Sequence, residues 1–280
     1  MKADNVTTEE VDIRVSDGVT LKLYEFIPQQ CGENDPVIVF VAGWVSLIEG
    51  WQDVLKVLVL KYRVIYIETR EKKSAILPEG KYPEFTIKRM AQDIHEVITE
   101  RISKKTPFYI AGSSLGSTVT LDYLSNSDFR SPEKSVLISA IGEVNFPFWG
   151  KLIINYFPPS AYFFIKHIVI FYLTNFRVDK KKEPEQADKY RGTISSAEPK
   201  RLQANARTLY DYSVWDKLSD IDSEVIIVGA KNDKLHGVDV LKKMVRLIPK
   251  AKLEMMESNK ETHSDKAGLL LIQQIEDLNK

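Results

Sequence analysis

Two periods of apolar spacing alternate along this chain. Near the N-terminus "VDIRV" (11–15) and "VTLKLYEF" (19–26) switch between apolar and polar at every residue, the pattern of half-buried strands. The "SDG" between them supplies a turn at Asp17-Gly18, so the pair predicts a β-hairpin. Short unbroken apolar runs follow, "PVIVFVAG" (36–43) and "RVIYIE" (63–68), as expected of strands buried on both faces. Elsewhere the spacing lengthens to that of a helix. Trp51, Val54, Leu55, Leu58 and Val59 form one such stripe, and Ile87, Met90, Ile94, Val97, Ile98 and Ile102 form another within 85–102. The alternation then continues: strand "PFYIAG" and helix "STVTLDYLS", strand "KSVLISAIG", strand "EVIIVGAKND" and helix "VLKKMVRLI", strand "AKLEMME" and helix "KAGLLLIQQIEDLN".

Strands and helices in such alternation predict an α/β fold, a mostly parallel sheet with helices on both faces, led by an antiparallel hairpin. Residues 144–205 interrupt the pattern, being rich in Phe, Tyr and Pro and then strongly charged at "VDKKKEPEQADKYRG". They are read as a helical cap or lid, inserted into a core made of 1–143 and 206–280. The stretch Leu152 to Thr174 approaches the roughly 20 apolar residues that a membrane-spanning helix needs. Pro158 and Pro159 split it, and Asn155, Lys166 and His167 lie inside it. It is expected to pack on the body or lie at an interface, with weak membrane-surface contact through the cap as one role and Lys180–Lys182 as a solvated basic run beside it.

A chain of 280 residues can bury one large core. Lys+Arg and Asp+Glu are 39 each, which argues against a nucleic-acid partner. Cys31 is the one cysteine, so an internal disulfide is excluded and no metal site is expected. The polar start "MKADNVTTEEVDIRV" lacks the apolar core of a signal peptide, which leads to the expectation of a cytoplasmic protein.

The chemistry centres on "YIAGSSLGSTV" (109–119), which puts Ser114 between Gly112 and Gly116, with a strand before and a helix after. A nucleophilic serine needs this context, a tight turn with small neighbours, and the Leu115 amide at the helix N-terminus is placed to stabilise an oxyanion. A serine hydroxyl also needs a base and a group to orient it. Of the four histidines, His95 falls in a long helix, His167 in the cap, His236 within "NDKLHG" and His263 in "SNKETHSDK". The loop holding His263 joins the last strand to the last helix and opens at the carboxyl edge of the sheet, so His263 is the expected base. Asp233, just past the strand "EVIIVG", is the expected acid, with Glu143 after "VLISAIG" as the alternative.

On these residues the chain resembles the α/β-hydrolase family along almost its whole length. The order Ser114, Asp233, His263 matches the family's nucleophile, acid and histidine, and the insertion resembles its lid. The family's second oxyanion donor follows its third strand, usually at His-Gly-x. Here "VAGW" puts Ala42 where the histidine would be and keeps Gly43 and Trp44, so the resemblance implies the Trp44 backbone N–H as that donor. The family's glycine-bearing turn after the fourth strand is replaced by "ETREKKSA" (68–75), which has none. A serine at the elbow argues against the dehalogenases and epoxide hydrolases of this fold, which carry aspartate there. The resemblance therefore implies a cofactor-free, esterase- or lipase-like serine hydrolase acting on a small-molecule carboxylic ester with an apolar acyl group. An acyltransferase, a thioesterase or a non-catalytic binding protein of the same fold remain alternatives. Phe146, Phe148, Trp149, Phe157, Tyr162, Phe163, Phe164, Phe171, Tyr172 and Phe176 are candidates for an apolar acyl pocket or for the cap's own core.

Overall fold

The computed structural model describes residues 5–177, 184–233 and 236–277; the run Lys180–Lys182 lies outside them. Among the described residues eight strands form one sheet: β1 (Val6–Arg14), β2 (Thr20–Pro28), β3 (Val37–Val41), β4 (Arg63–Ile67), β5 (Phe108–Ser113), β6 (Lys134–Ile138), β7 (Glu224–Ala230) and β8 (Ala251–Met256). Their order is β1-β2-β4-β3-β5-β6-β7-β8. The β2 strand runs antiparallel to both β1 and β4, and every other neighbouring pair is parallel. The hairpin forms as its alternation predicts, with Arg14 opposite Thr20 and Gly18 taking the positive φ of 88° that its turn requires.

The period of two in the central strands divides the core into two layers. Val37, Val39 and Val41 of β3 face Met90, Ile94 and Val97 of α2 (Ile87–Arg101) and Val119 of α3 (Leu115–Leu124). Ile38 and Phe40, between them in sequence, face Val54 and Leu58 of α1 (Gln52–Leu58) on the opposite side. From β6 the chain runs through α4 (Phe148–Tyr156), α5 (Tyr162–Tyr172), α6 (Pro184–Ser196) and α7 (Pro199–Thr208) before reaching β7. It closes with α8 (Val238–Leu247) and α9 (Asp265–Glu276), the latter packing Leu271 and Ile275 beside α1. The apolar stretch 152–174 is broken at Pro158-Pro159, and no helix among the described residues is long and apolar enough to cross a membrane.

Buried ion pairs tie the hairpin to this frame. The Arg70 guanidinium is fully buried and bonds Asp93 of α2 and Asp17 of the hairpin turn. Glu25, on β2, is enclosed between Arg63 and Arg101. Parallel register matters most at the carboxyl ends. Val41 pairs with Gly112, Gly112 with Leu137, and Ile138 with Val228, so the loops after β3, β5, β6 and β7 emerge side by side.

Candidate active site

Ser114 is the single residue between β5 and α3, with φ 49° and ψ −117°. A serine held in that region stores about 1–3 kcal/mol of strain, which the surrounding contacts must maintain. Its N–H donates to the Ile138 carbonyl at 2.8 Å, fixing the turn to the end of β6. The flanking glycines are required sterically. A Cβ on Gly112 would come within 2.9 Å of the Ser117 Cα, and one on Gly116 within 2.2 Å of the Val41 carbonyl oxygen.

The serine hydroxyl meets a histidine, but not the expected one. Ser114 Oγ lies 3.0 Å from His236 Nε2. His236 Nδ1 lies 2.9 Å from Asp233 Oδ2. The Asp233 carboxylate also accepts the His236 backbone N–H at 3.0 Å and the Ser139 hydroxyl at 3.3 Å. It is almost completely shielded from solvent. This pattern assigns the Nδ1–H tautomer to His236, leaving Nε2 to receive the serine proton. Acid and histidine stand three residues apart in the same loop after β7.

His263 is the base expected from the sequence, but the ring on Ser114 Oγ is that of His236. His263 does sit in the loop between β8 and α9, and it lines the same cavity as Ser114. Its Nδ1, however, lies 3.1 Å from the Asn259 carbonyl and 3.0 Å from Thr262 Oγ1, and its ring rests 4.4 Å from that of Trp51, centroid to centroid. The signal for His236 was its spacing from Asp233: a loop that already brings an acid to the carboxyl edge can bring a histidine three residues later. Of the other histidines, His95 stacks on Phe129 in α2 and His167 is exposed on α5. Glu143, the alternative acid, accepts an amide proton from Asn145 at 3.0 Å, while the carboxylate on the histidine is that of Asp233.

Leu115 is the first residue of α3, so its N–H is among those left without an intrahelical acceptor. Gly43 packs against the elbow: a Cβ there would be 3.3 Å from both the Ser113 carbonyl oxygen and the Ser114 Cβ. Trp44 follows in a turn closed by the Ser46 N–H on the Gly43 carbonyl at 3.0 Å. Both Trp44 and Leu115 line the cavity that contains Ser114. No cluster of three or more His, Cys, Asp or Glu suited to a metal ion occurs among the described residues.

That cavity has a volume of about 570 Å³ and a mostly apolar wall, running from Ser114 and His236 to residues of α4, α5, α6 and α7. It divides the candidate aromatics. Phe146, Trp149, Phe157, Tyr162 and Tyr172 line it. Phe148, Phe163, Phe164 and Phe171 do not and are exposed instead, while the Phe176 side chain is not among those described. The reason is helical spacing: on α5, Tyr162, Ile165, Val169 and Tyr172 share the inner face, which turns Phe163, Phe164 and Phe171 outward.

No protein-family model and no curated protein matches the sequence. Solved structures do match the fold. An esterase from Thermogutta terrifontis superposes with a TM-score of 0.74 at 16% identity, covering 97% of this chain and 100% of its own. An esterase from Exiguobacterium antarcticum gives 0.72 at 20% identity, covering 97% and 100%. An enol-lactonase from Burkholderia xenovorans gives 0.74 at 15%, covering 96% and 100%. Likeness over whole chains at such low identity is a likeness of fold, and this chain has the α/β-hydrolase fold.

Proposed function

We propose that this protein is a serine hydrolase that cleaves carboxylic esters with an apolar acyl group, using Ser114 as nucleophile, His236 as base and Asp233 as the orienting acid. The observation that carries the reading is the continuous hydrogen-bond chain from Ser114 Oγ through the His236 ring to Asp233, set on a strained strand-to-helix turn. The fold neighbours named as esterases and a lactonase add support, since all act on acyl–oxygen bonds. In this mechanism His236 Nε2 takes the hydroxyl proton as Ser114 Oγ adds to the acyl carbon. Asp233 stabilises the imidazolium that forms, and the Trp44 and Leu115 N–H groups stabilise the oxyanion. Collapse of the tetrahedral species expels the alkoxide, which leaves as the alcohol with the proton from His236. Water then repeats the sequence on the acyl-enzyme to release the acid and restore the serine. Every bond is made or broken between these groups and the ester, so no cofactor is called for.

The apolar cavity supports an apolar acyl group, and residues 144–205 serve in this reading as the cap that closes it. Each buried CH₂ is worth roughly 0.8 kcal/mol, so a p-nitrophenyl octanoate should be favoured over the acetate by a large factor in kcat/KM. A second reading keeps His263 as the base. It is favoured by its place on the cavity wall and by the Asn259 carbonyl at Nδ1, which leaves Nε2 as the basic nitrogen. The test is a set of single variants read by fluorophosphonate labelling and ester hydrolysis. Ser114→Ala should abolish labelling and lower kcat/KM by several orders of magnitude, and Ser114→Ala at wild-type activity would end the hydrolase reading. His236→Gln should be nearly as damaging and His263→Gln much milder. The reverse ranking makes His263 the base.

A further inference from the structure

The α5 helix is apolar on two opposite sides. Its inner face lines the cavity through Tyr162, Ile165, Val169 and Tyr172. Its outer face carries Phe163, Phe164, Ile168 and Phe171, with Phe164 73% exposed and Phe171 60%. The α4 helix repeats this with Phe148, Leu152 and Tyr156 at a spacing of four, the first and last each 78% exposed. Apart from Lys166 and His167, α5 is apolar on both sides, and such a helix belongs in an apolar medium on both. Most of the large hydrophobic side chains exposed among the described residues fall between 148 and 171, concentrated on these two helices. Between Glu143 and Asp179 its own stretch of sequence carries charge of one sign. From residue 144 to residue 178 the sequence holds Lys151, Lys166 and Arg177 and no Asp or Glu. The Lys166 ammonium lies 5.1 Å from the Phe163 ring centroid, so it is carried on the aromatic face itself.

We propose that the outer face of α4 and α5 docks on an anionic lipid surface, with the phenylalanines entering the acyl boundary and the lysines meeting the headgroups. Aromatic side chains, basic charge and the absence of carboxylates are what such a surface selects. A second copy of the chain would bring Lys151 and Lys166 toward their own counterparts with no acidic residue of these helices between them. Docking does not depend on hydrolysis, so it can be tested apart from the proposed chemistry. Sedimentation with vesicles of phosphatidylcholine alone, and of phosphatidylcholine mixed with phosphatidylglycerol, should show stronger binding to the mixed ones. Phe163→Ser/Phe164→Ser/Phe171→Ser should lose at least about tenfold in affinity. Lys151→Glu/Lys166→Glu should lose at least about 25-fold on the anionic vesicles only, since each basic residue contributes about fivefold there. Thermal melting and hydrolysis of a soluble ester should be unchanged in the phenylalanine variant, whose three sites lie outside the cavity wall. Wild-type protein that stays in the supernatant overturns the proposal. So does a dimer that these serine substitutions dissociate without any vesicle binding, which would assign the face to a second copy.

A different observation carries a second inference, which rests on the hydrolase reading. The two places where the sequence departs from the family pattern meet in space. Val45, next to Trp44, has φ 44°, a conformation that a β-branched residue adopts only under constraint. Its N–H donates to Glu71 Oε1 at 3.2 Å, and the Thr69 hydroxyl donates to the same oxygen at 2.8 Å. Glu71 is fully buried and belongs to the rebuilt segment 68–75. That segment is clamped from above by Arg201 of α7, which donates to the Ala75 carbonyl at 2.8 Å. The geometry points to Glu71 as a positioning residue that holds the strained Gly43–Ser46 turn, and with it the Trp44 donor, in place of the histidine this loop lacks.

Glu71→Ala should lower kcat by about 10²-fold with KM little changed, since an oxyanion donor out of place is felt chiefly in the transition state. Glu71→Gln keeps an acceptor oxygen and should recover most of that loss. In a Val45→Gly background, where positive φ carries no strain, Glu71→Ala should cost far less. An equal cost in both backgrounds, or full kcat in Glu71→Ala while Ser114→Ala is inactive, overturns the inference. Activity in Ser114→Ala would instead remove the reading beneath it.

Discussion

Gly116→Ala is the smallest change that should damage the site. The added Cβ would lie 2.2 Å from the Val41 oxygen, 2.6 Å from the Ala42 oxygen and 2.8 Å from the Val41 carbonyl carbon, all of them backbone. Real Cβ atoms essentially never approach other atoms closer than 3.0 Å, so the start of α3 must separate from the end of β3. Overpacking of this kind costs about 1–3 kcal/mol. For a chain of this size that lowers Tm by roughly 2–5 °C. A domain stable by about 5–15 kcal/mol remains folded at 25 °C after such a loss, so unfolding would not account for lost activity. The separation itself, about 1 Å, moves Ser114 and the Leu115 amide relative to the Trp44 loop and should lower kcat/KM by about 10²-fold. The assay is hydrolysis of a p-nitrophenyl ester together with a circular-dichroism melt. Gly192→Ala is the control, because nothing lies within 4 Å of its Cβ position and it sits exposed in α6. That change should leave activity intact and stabilise by about 0.5–1 kcal/mol. Unchanged kcat/KM and Tm in Gly116→Ala, or equal effects in the two variants, would refute the steric argument.

Trp44 is proposed to act through its backbone, so Trp44→Phe should keep most activity. Trp44→Pro removes the donor and should cost roughly 10²-fold or more in kcat, measured beside a melt that verifies folding. Arg70→Met should destabilise by up to about 3–5 kcal/mol in urea titration, because Asp93 and Asp17 lose their closer cation and keep only Arg89 between them. Burial pushes the Glu25 carboxyl up, but hydrogen bonds from Arg101 and Arg63 outweigh it and hold its pKa below the usual carboxylate range. The stability it contributes is therefore complete above the unfolded pKa of about 4.3 and lost as pH falls through the lower folded value. A plot of Tm against pH should fall across that acid range in the wild type and fall less steeply in Glu25→Gln.

Much of the frame is written in local spacing. The period of two in "VDIRV" and "VTLKLYEF", the unbroken apolar runs of β3 to β7 and the stripes of α2 and α9 each satisfy their own backbone geometry, so they are legible without partners. The Gly-x-Ser-x-Gly turn is legible for the same reason, since the clash that bars a Cβ from Gly116 involves the strand beside which the motif must always fold. The position of Asp233 could be read because strand ends in a parallel sheet share one edge. The histidine on Ser114 could not be read this way. Asp233, His236 and His263 all fall at that edge, and only the tertiary structure decides that the His236 ring, three residues from its acid, stands on the serine. Which aromatics meet the cavity was likewise open, because Phe163 and Tyr162 are neighbours in sequence, and only the rotation of α5 about its axis separates the inner wall from the outer face. The contact between Val45 and Glu71 lay furthest from view. Composition and spacing describe what each segment can form alone, whereas a hydrogen bond across 26 residues between two irregular loops exists only once the sheet has brought those loops together.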